Sequence, residues 1–280
     1  MKLKHSEYKQ RNMKIWNEVA PRYHKRWASV SIGPFQSTSK LIELVDINKG
    51  DTVLDIACGT GVVTKKIRNK IGNLGYVIGA DTSITAIKIA KKWNERKTNL
   101  DFVNVDAEKF YFSKKFDIVT CQYALFFFPN AQKALKNMRN SLKKSGKIGI
   151  SVHGSKERVP FFSSILDSVT KFIPDYIPPG SPNLDRFGTK FALRKEISKA
   201  GFSKIFVNEF VFHYSPGTFE EYWRNYIKYI AKPLKEKLNA LEYSKRKELK
   251  QLVKEKSTQY TKKNGKIIFP WQVLILTAKY

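Results

Sequence analysis

Between Thr52 and His153 the chain alternates short β-branched runs with amphipathic stretches, and that rhythm leaves few folds open. Parallel strands cannot be joined by tight turns, so a strand–helix–strand rhythm builds a parallel sheet with covered faces. The spacing predicts strands at Thr52–Ala57, Tyr76–Asp81, Leu100–Val105, Phe116–Gln122 and Lys147–His153. Helices are expected over Val62–Lys70 and Ile84–Trp93, and another is marked by Ala131, Ala134, Leu135, Met138 and Leu142, stopping before Gly146. Beyond His153 the rhythm breaks. Pro160, Pro174, Pro178, Pro179 and Pro182 punctuate an irregular or short-helical stretch. A helix over Leu193–Ala200, a sixth strand over Phe202–Tyr214, a polar helical region over 218–262 and a seventh strand over Gln272–Lys279 follow. Trp16, Val19, Tyr23 and Trp27 stand at helical spacing near the start. The reading is an α/β fold: a Rossmann-like, mostly parallel seven-stranded sheet with helices on both faces. Residues 1–37 form an N-terminal helical cover and 38–154 a cofactor-binding core. A substrate-side insertion takes 155–188, and 189–280 complete the sheet around a helical insertion at about 216–264.

Lys and Arg number 52 against 24 Asp and Glu, a net charge of +28, while 42% hydrophobic residues suffice for a packed interior. The excess is spread along the chain. In its richest part, 232–266, bases interleave with Glu236, Glu242, Glu248 and Glu255, as on a solvated helix face. A generally basic surface is therefore favoured over a nucleic-acid footprint, with contact to anionic lipid resting on the same charges. The longest apolar run, Tyr123 to Phe128, is far below the roughly 20 residues that span a bilayer. Met1 to Lys14 has no apolar h-region, so no signal peptide is expected. Two cysteines, Cys58 and Cys121, fit a reducing cytoplasm.

Ligands of open α/β sheets collect at the carboxyl ends of the strands. The first strand runs into Asp55-Ile56-Ala57-Cys58-Gly59-Thr60-Gly61, where Gly59 and Gly61 let the backbone approach a ligand and turn into a helix. A dinucleotide fingerprint would place a third glycine where Thr64 stands. The second strand ends at Asp81, followed by Thr82 and Ser83; a carboxylate there accepts both hydroxyls of a ribose. Asp106-Ala107, after the third strand, adds a polar group where an adenine amine can be read. Each acid alone is as readily a helix cap, but three after successive strands point to a cofactor site.

These segments, VLDIACGTG, the Asp81 strand end, Asp106-Ala107 and CQYALFFFPN, resemble the motifs of class I S-adenosylmethionine-dependent methyltransferases. Within that superfamily the likeness is to the small-molecule type 11 group, which includes the ubiquinone/menaquinone-biosynthesis methyltransferases. It is strong over roughly 38–154. The resemblance implies a last strand running antiparallel and S-adenosyl-L-methionine as cofactor. Asp55 and Gly59-Thr60-Gly61 would hold its methionine part, Asp81 the ribose hydroxyls, Thr82 and Ile84 the adenine edge and face, and Asp106 and Ala107 the adenine. Gln122 would border the reacting centre. The charged insertion between the sixth and seventh strands departs from the family pattern.

In-line methyl transfer needs alignment more than functional groups from the protein. Where a proton must leave the acceptor, His153 at the end of the fifth strand is the candidate base, with substrate orientation or packing as its alternatives. Tyr23 and His24 from the N-terminal cover, Phe126 and Phe127 after the fourth strand, and Phe161 and Trp223 from the insertions are candidates for the substrate side, where aromatic rings would suit a lipophilic acceptor. No metal-ligand spacing is present, so no metal is expected. The function expected is methyl transfer to a small lipophilic or aromatic metabolite, such as a quinone precursor or isoprenoid. An RNA methyltransferase using the basic surface and a catalytically silent cofactor-binding module are the alternatives, with an NAD-dependent oxidoreductase a distant further one.

Overall fold

Seven strands, β1 (Thr52–Ile56), β2 (Tyr76–Asp81), β3 (Leu100–Asn104), β4 (Phe116–Gln122), β5 (Leu142–His153), β6 (Ser203–Thr218) and β7 (Lys266–Lys279), join in one sheet of order β3-β2-β1-β4-β5-β7-β6. The computed structural model describes residues 2–95, 98–177, 181–230 and 232–280; Pro178 and Pro179 of the expected irregular stretch lie outside them. β1 pairs in parallel with β2 and β4, and order reverses there, which opens a crevice at the carboxyl edge. β7 runs antiparallel between β5 and β6, as the family likeness implied.

The period of two along β1 divides the core. Val53 packs with Ile67, Ile71, Val77 and Ile87 on one face, whereas Leu54 and Ile56 pack with Leu135, Met138 and Ile150 on the other. The helices behind these faces are α3 (Val62–Ile71) and α4 (Ile84–Trp93) on the first and α5 (Ala131–Asn140) and α7 (Lys190–Lys199) on the second, with α2 (Ser37–Leu44) ahead of β1. A third apolar cluster joins the β6–β7 ribbon to α6 (Pro160–Phe172), α8 (Phe219–Asn225), α9 (Lys232–Ala240) and α10 (Tyr243–Thr258), centred on Phe161, Tyr222, Phe269 and Trp271. The first helix, α1 (Lys2–Trp27), lies over the carboxyl edge. No helix among the described residues is long and apolar enough to cross a membrane.

Three expectations are corrected. Leu142 belongs to β5, not to the preceding helix: α5 closes at Asn140, Ser141 caps it, and Leu142 pairs with Phe116. An apolar residue four positions after Met138 satisfies both patterns. The stretch after Pro160 is a regular 13-residue helix, because a proline in the first turn loses nothing. β6 continues to Thr218 through Pro216, tolerated on an edge strand where the ladder is irregular between Tyr214 and Gly217.

Candidate active site

The glycine turn is built for close approach. Gly61 opens α3 with φ of 84°, and a Cβ there would stand 2.8 Å from the Phe102 ring. Gly59, at φ 55°, has open space where its side chain would be. Its N–H donates to Asp81 Oδ2 at 2.8 Å, while the N–H of Ser83 donates to Asp81 Oδ1 at 2.8 Å. One carboxylate thus braces two loops and keeps a lone pair on each oxygen for a ligand. Burial raises its pKa.

Asp55 stands deeper. Its Oδ2 accepts from Thr64 Oγ1 at 2.6 Å and its Oδ1 from Thr120 Oγ1 at 2.8 Å, tying α3 and β4 to β1. Burial, reinforced by the charge of Asp81, pushes its pKa up to about 6.

A cavity of about 500 Å³ opens at this edge. Gly59, Thr60, Asp81, Thr82, Asp106 and Ala107 line it, as do Gln122, Tyr123, Phe127 and Phe128. Of the predicted cofactor residues, Asp55, Gly61 and Ile84 stand off the wall: Asp55 behind the glycine turn, Gly61 against Phe102, and Ile84 opening α4 while 44% exposed. Gln122 donates through Nε2 to Thr38 Oγ1 at 3.0 Å, so β4 is tied to α2 at the cavity's edge.

On the substrate side, Tyr23 and Phe127 line the cavity, with Trp16 stacked edge-on between them at 5.9 and 5.8 Å. Burial pushes the Tyr23 phenol up to about 12. His24 faces Thr60 instead, Nδ1 to Oγ1 2.9 Å. Phe126 is buried in the core, Phe161 is stacked on Trp271 at 5.0 Å, and Trp223 packs on the third cluster; none of the three reaches the cavity.

His153 is also absent from the wall. Its ring stacks on Tyr123 at 4.3 Å and its Nδ1 accepts the Trp271 indole N–H at 3.0 Å. An indole only donates, so the neutral imidazole must carry its proton on Nε2. With Nδ1 engaged and burial pulling the pKa down to about 3, a base role for His153 lacks both lone pair and access.

The helix α1 contributes more than the sequence suggested. Tyr8, Lys9, Met13, Trp16 and Trp27 line the cavity along with Tyr23. Lys9 pairs with Asp106 at 2.8 Å and Glu108 at 2.7 Å, and Asn17 Oδ1 accepts from Ser83 Oγ at 2.7 Å and Thr85 N at 3.2 Å. Lys9, Asn17 and His24 recur about every two helical turns, which was the available signal.

Residues 4–176 match the model of the ubiE/COQ5 methyltransferase family. The chain belongs to this family. It is 26% identical over 210 residues to a demethylmenaquinone methyltransferase of Lactobacillus johnsonii, covering 70% of this chain and 86% of that protein. Over 166 residues it is 31% identical to the ubiquinone/menaquinone biosynthesis C-methyltransferase UbiE of Ectopseudomonas mendocina, covering 57% and 64%. Among solved structures it is similar to the YcgJ protein of Bacillus subtilis (TM-score 0.57, 19% identity, 87% of this chain and 98% of that one). It is also similar to phosphoethanolamine N-methyltransferase 2 of Haemonchus contortus, solved with phosphomonomethylethanolamine and S-adenosylhomocysteine (TM-score 0.59, 15% identity, 94% and 57%). The last two likenesses establish the class I fold. This ubiE/COQ5-family chain is accordingly an S-adenosylmethionine-dependent methyltransferase. Its own residues fit that cofactor: a carboxylate with spare lone pairs at the cavity, an uncrowded Gly59 beside it, and room beyond.

Proposed function

We propose that the chain methylates a ring carbon of a small lipophilic aromatic acceptor of the quinone-precursor class. The observation that carries this reading is that one cavity is lined both by the acids Asp81 and Asp106 and by the rings of Trp16, Tyr23, Trp27 and Phe127. Relatives named for demethylmenaquinone and for ubiquinone/menaquinone biosynthesis support the acceptor class.

In this reading Asp81 accepts the ribose hydroxyls, Gly59 and Thr60 lie along the amino-acid part, and Asp106 with Ala107 reads the adenine edge. Asp55 works indirectly, fixing the glycine turn through Thr64 and Thr120. When bound, S-adenosylmethionine supplies an electrophilic methyl carbon. Trp16 and Phe127, in edge-to-face contact with each other, wall the acceptor's side of the cavity and exclude water, so the reaction gains mainly from orientation. Tyr23, whose phenol stays protonated at neutral pH, donates to an acceptor oxygen rather than removing a proton. A ring hydroxyl of the acceptor itself would provide the electron density, and the ring carbon that gains the methyl group would lose its proton to solvent as the ring regains aromaticity.

The test is incubation with methyl-labelled S-adenosylmethionine and cell extract separated into lipid, small polar and RNA fractions. Label is expected in the lipid fraction. Label confined to RNA would replace this reading with that of an RNA methyltransferase.

A further inference from the structure

Phe127, Phe128 and Pro129 line the cavity from one short segment after β4, so whatever holds that segment shapes the wall. Its entry is fixed under strain. Tyr123 stands at φ 54°, unfavourable for a bulky residue, while its N–H donates to the Ser151 carbonyl at 2.8 Å and its phenol to the Pro34 carbonyl at 2.9 Å. The single turn Leu125–Phe127 follows. It cannot continue, because Pro129 has no N–H to offer the Phe126 carbonyl. A carbonyl left inside the protein needs a donor from elsewhere.

That donor comes from the loop ahead of α7. Arg186 Nη2 donates to the carbonyls of Leu125 at 3.3 Å, Phe126 at 3.2 Å and Phe128. Arg186 itself stands off the cavity wall. The loop that carries it is held in turn. Phe187 is buried in the same core cluster as Leu125 and Phe126, with the Arg186 guanidinium 4.7 Å above its ring. Gly188 lies against the chain leaving β5, where a Cβ would stand 2.7 Å from the Ser155 backbone. The Asn183 carbonyl accepts the Arg186 N–H at 3.3 Å and the Asp185 carbonyl accepts the Gly188 N–H at 2.9 Å, closing the turn between them. The Arg186 Nε is buried with no hydrogen-bond partner among the described residues. Such burial is unfavourable and an alkyl side chain would avoid it; what only a cationic donor supplies is the contact with the three carbonyls.

We propose that Arg186 is a positioning residue for methyl transfer: through the carbonyls of the turn after β4 it fixes Phe127 and Phe128, and with them the face that orients the acceptor. The acceptors of its side chain all lie in that turn, so cofactor binding at Gly59 and Asp81 does not depend on it. The proposal rests on the acceptor reading above for what meets those rings; the clamp itself rests on the contacts of Arg186.

The experiment uses the full chain carrying Arg186→Met or Arg186→Lys. Hydrogen exchange comes first, since it needs no acceptor. In Arg186→Met it is expected to accelerate over residues 124–128 and stay unchanged over 57–61 and 81–86. No change over 124–128, or a change shared with the other two segments, overturns the clamp. Methyl transfer from S-adenosylmethionine to 1,4-dihydroxynaphthalene, kept reduced under nitrogen, is then set beside calorimetric affinity for S-adenosylhomocysteine. In Arg186→Met, kcat/KM is expected to fall at least about tenfold, because misplacing a reactant by about 1 Å can cost about a hundredfold. The dissociation constant of S-adenosylhomocysteine is expected to stay within about twofold. Arg186→Lys brings an ammonium with three donors, on a shorter stem, toward the same carbonyls and is expected to recover part of the loss. An unchanged kcat/KM, a parallel loss of S-adenosylhomocysteine affinity, or a lysine variant no better than the methionine one overturns the positioning role. Should Arg186→Met fail to fold, Arg186→Lys against the wild type is decided by the same exchange and affinity criteria. Absence of transfer to 1,4-dihydroxynaphthalene by the wild type would count against the acceptor reading, and the exchange comparison would still decide the clamp.

Discussion

Trp271 donates its indole N–H to Nδ1 of His153 at 3.0 Å, and this bond fixes an imidazole at the end of β5 as a structural acceptor. The folded chain holds that imidazole neutral down to about pH 3, whereas an unfolded histidine protonates near 6.5. Between those values the unfolded state binds the extra proton, so this group's contribution to stability is full above about pH 6.5 and declines as pH falls. His153 should therefore show no titration of its ring resonances between pH 5 and 8. His153→Phe should flatten the acid limb of a stability-versus-pH curve from urea unfolding.

Asp55 works in the opposite sense. Its carboxyl pKa is raised to about 6, above an ordinary aspartate, so the folded state retains a proton that the unfolded state releases. Its contribution is fully present below about pH 4 and is lost as pH rises through 6. Asp55→Asn removes a group that must otherwise be buried charged. Unfolding followed at pH 5 and pH 8 should show a smaller difference in the variant than in the wild type.

Asp81 joins the fold to the cofactor. Asp81→Ala deletes the acceptor of the Gly59 and Ser83 N–H groups as well as the proposed partner of two hydroxyls. Hydrogen bonds to charged groups contribute roughly 1.5–3 kcal/mol each. Calorimetric affinity for S-adenosylhomocysteine should fall by at least about tenfold on that scale, and Asp81→Asn should fall less.

Gly61 admits no side chain. Its φ of 84° and the 2.8 Å approach of a Cβ to the Phe102 ring act together in Gly61→Ala. A loss of about 2 kcal/mol or more is expected from strain and overpacking, read from the urea midpoint at unchanged slope.

Much of the sheet was legible because its strands carry period-two or continuous apolar runs and its turns carry glycine. Tyr76–Asp81, Phe116–Gln122 and the helix Ile84–Trp93 have the bounds their residues imply. The acids at the strand ends were legible for the same reason, since strand order places them at one edge. What the residues concealed was set by partners distant in sequence. Lys143 and Lys144 hide the start of β5, which exists because Leu142 meets Phe116. His153 reads as an edge histidine until Trp271, 118 residues later, is seen to occupy its lone pair. Lys9 and Asn17 look like solvated helix residues, because Asp106, Glu108, Ser83 and Thr85 lie 66 or more positions away.

The helix that walls the cavity has consequences for biosynthesis. Residues 2–27 leave the ribosome before the loops that receive them, which extend from Thr60 to Glu108, and before the β6–β7 ribbon against which Trp27 is anchored. Most helical stability in proteins comes from tertiary packing, and this helix also carries Pro21 inside it. The helix must therefore wait, largely unstructured, until the chain has been made as far as Tyr214, and a translational stop before that residue yields a product in which Trp27 lacks this part of its anchorage.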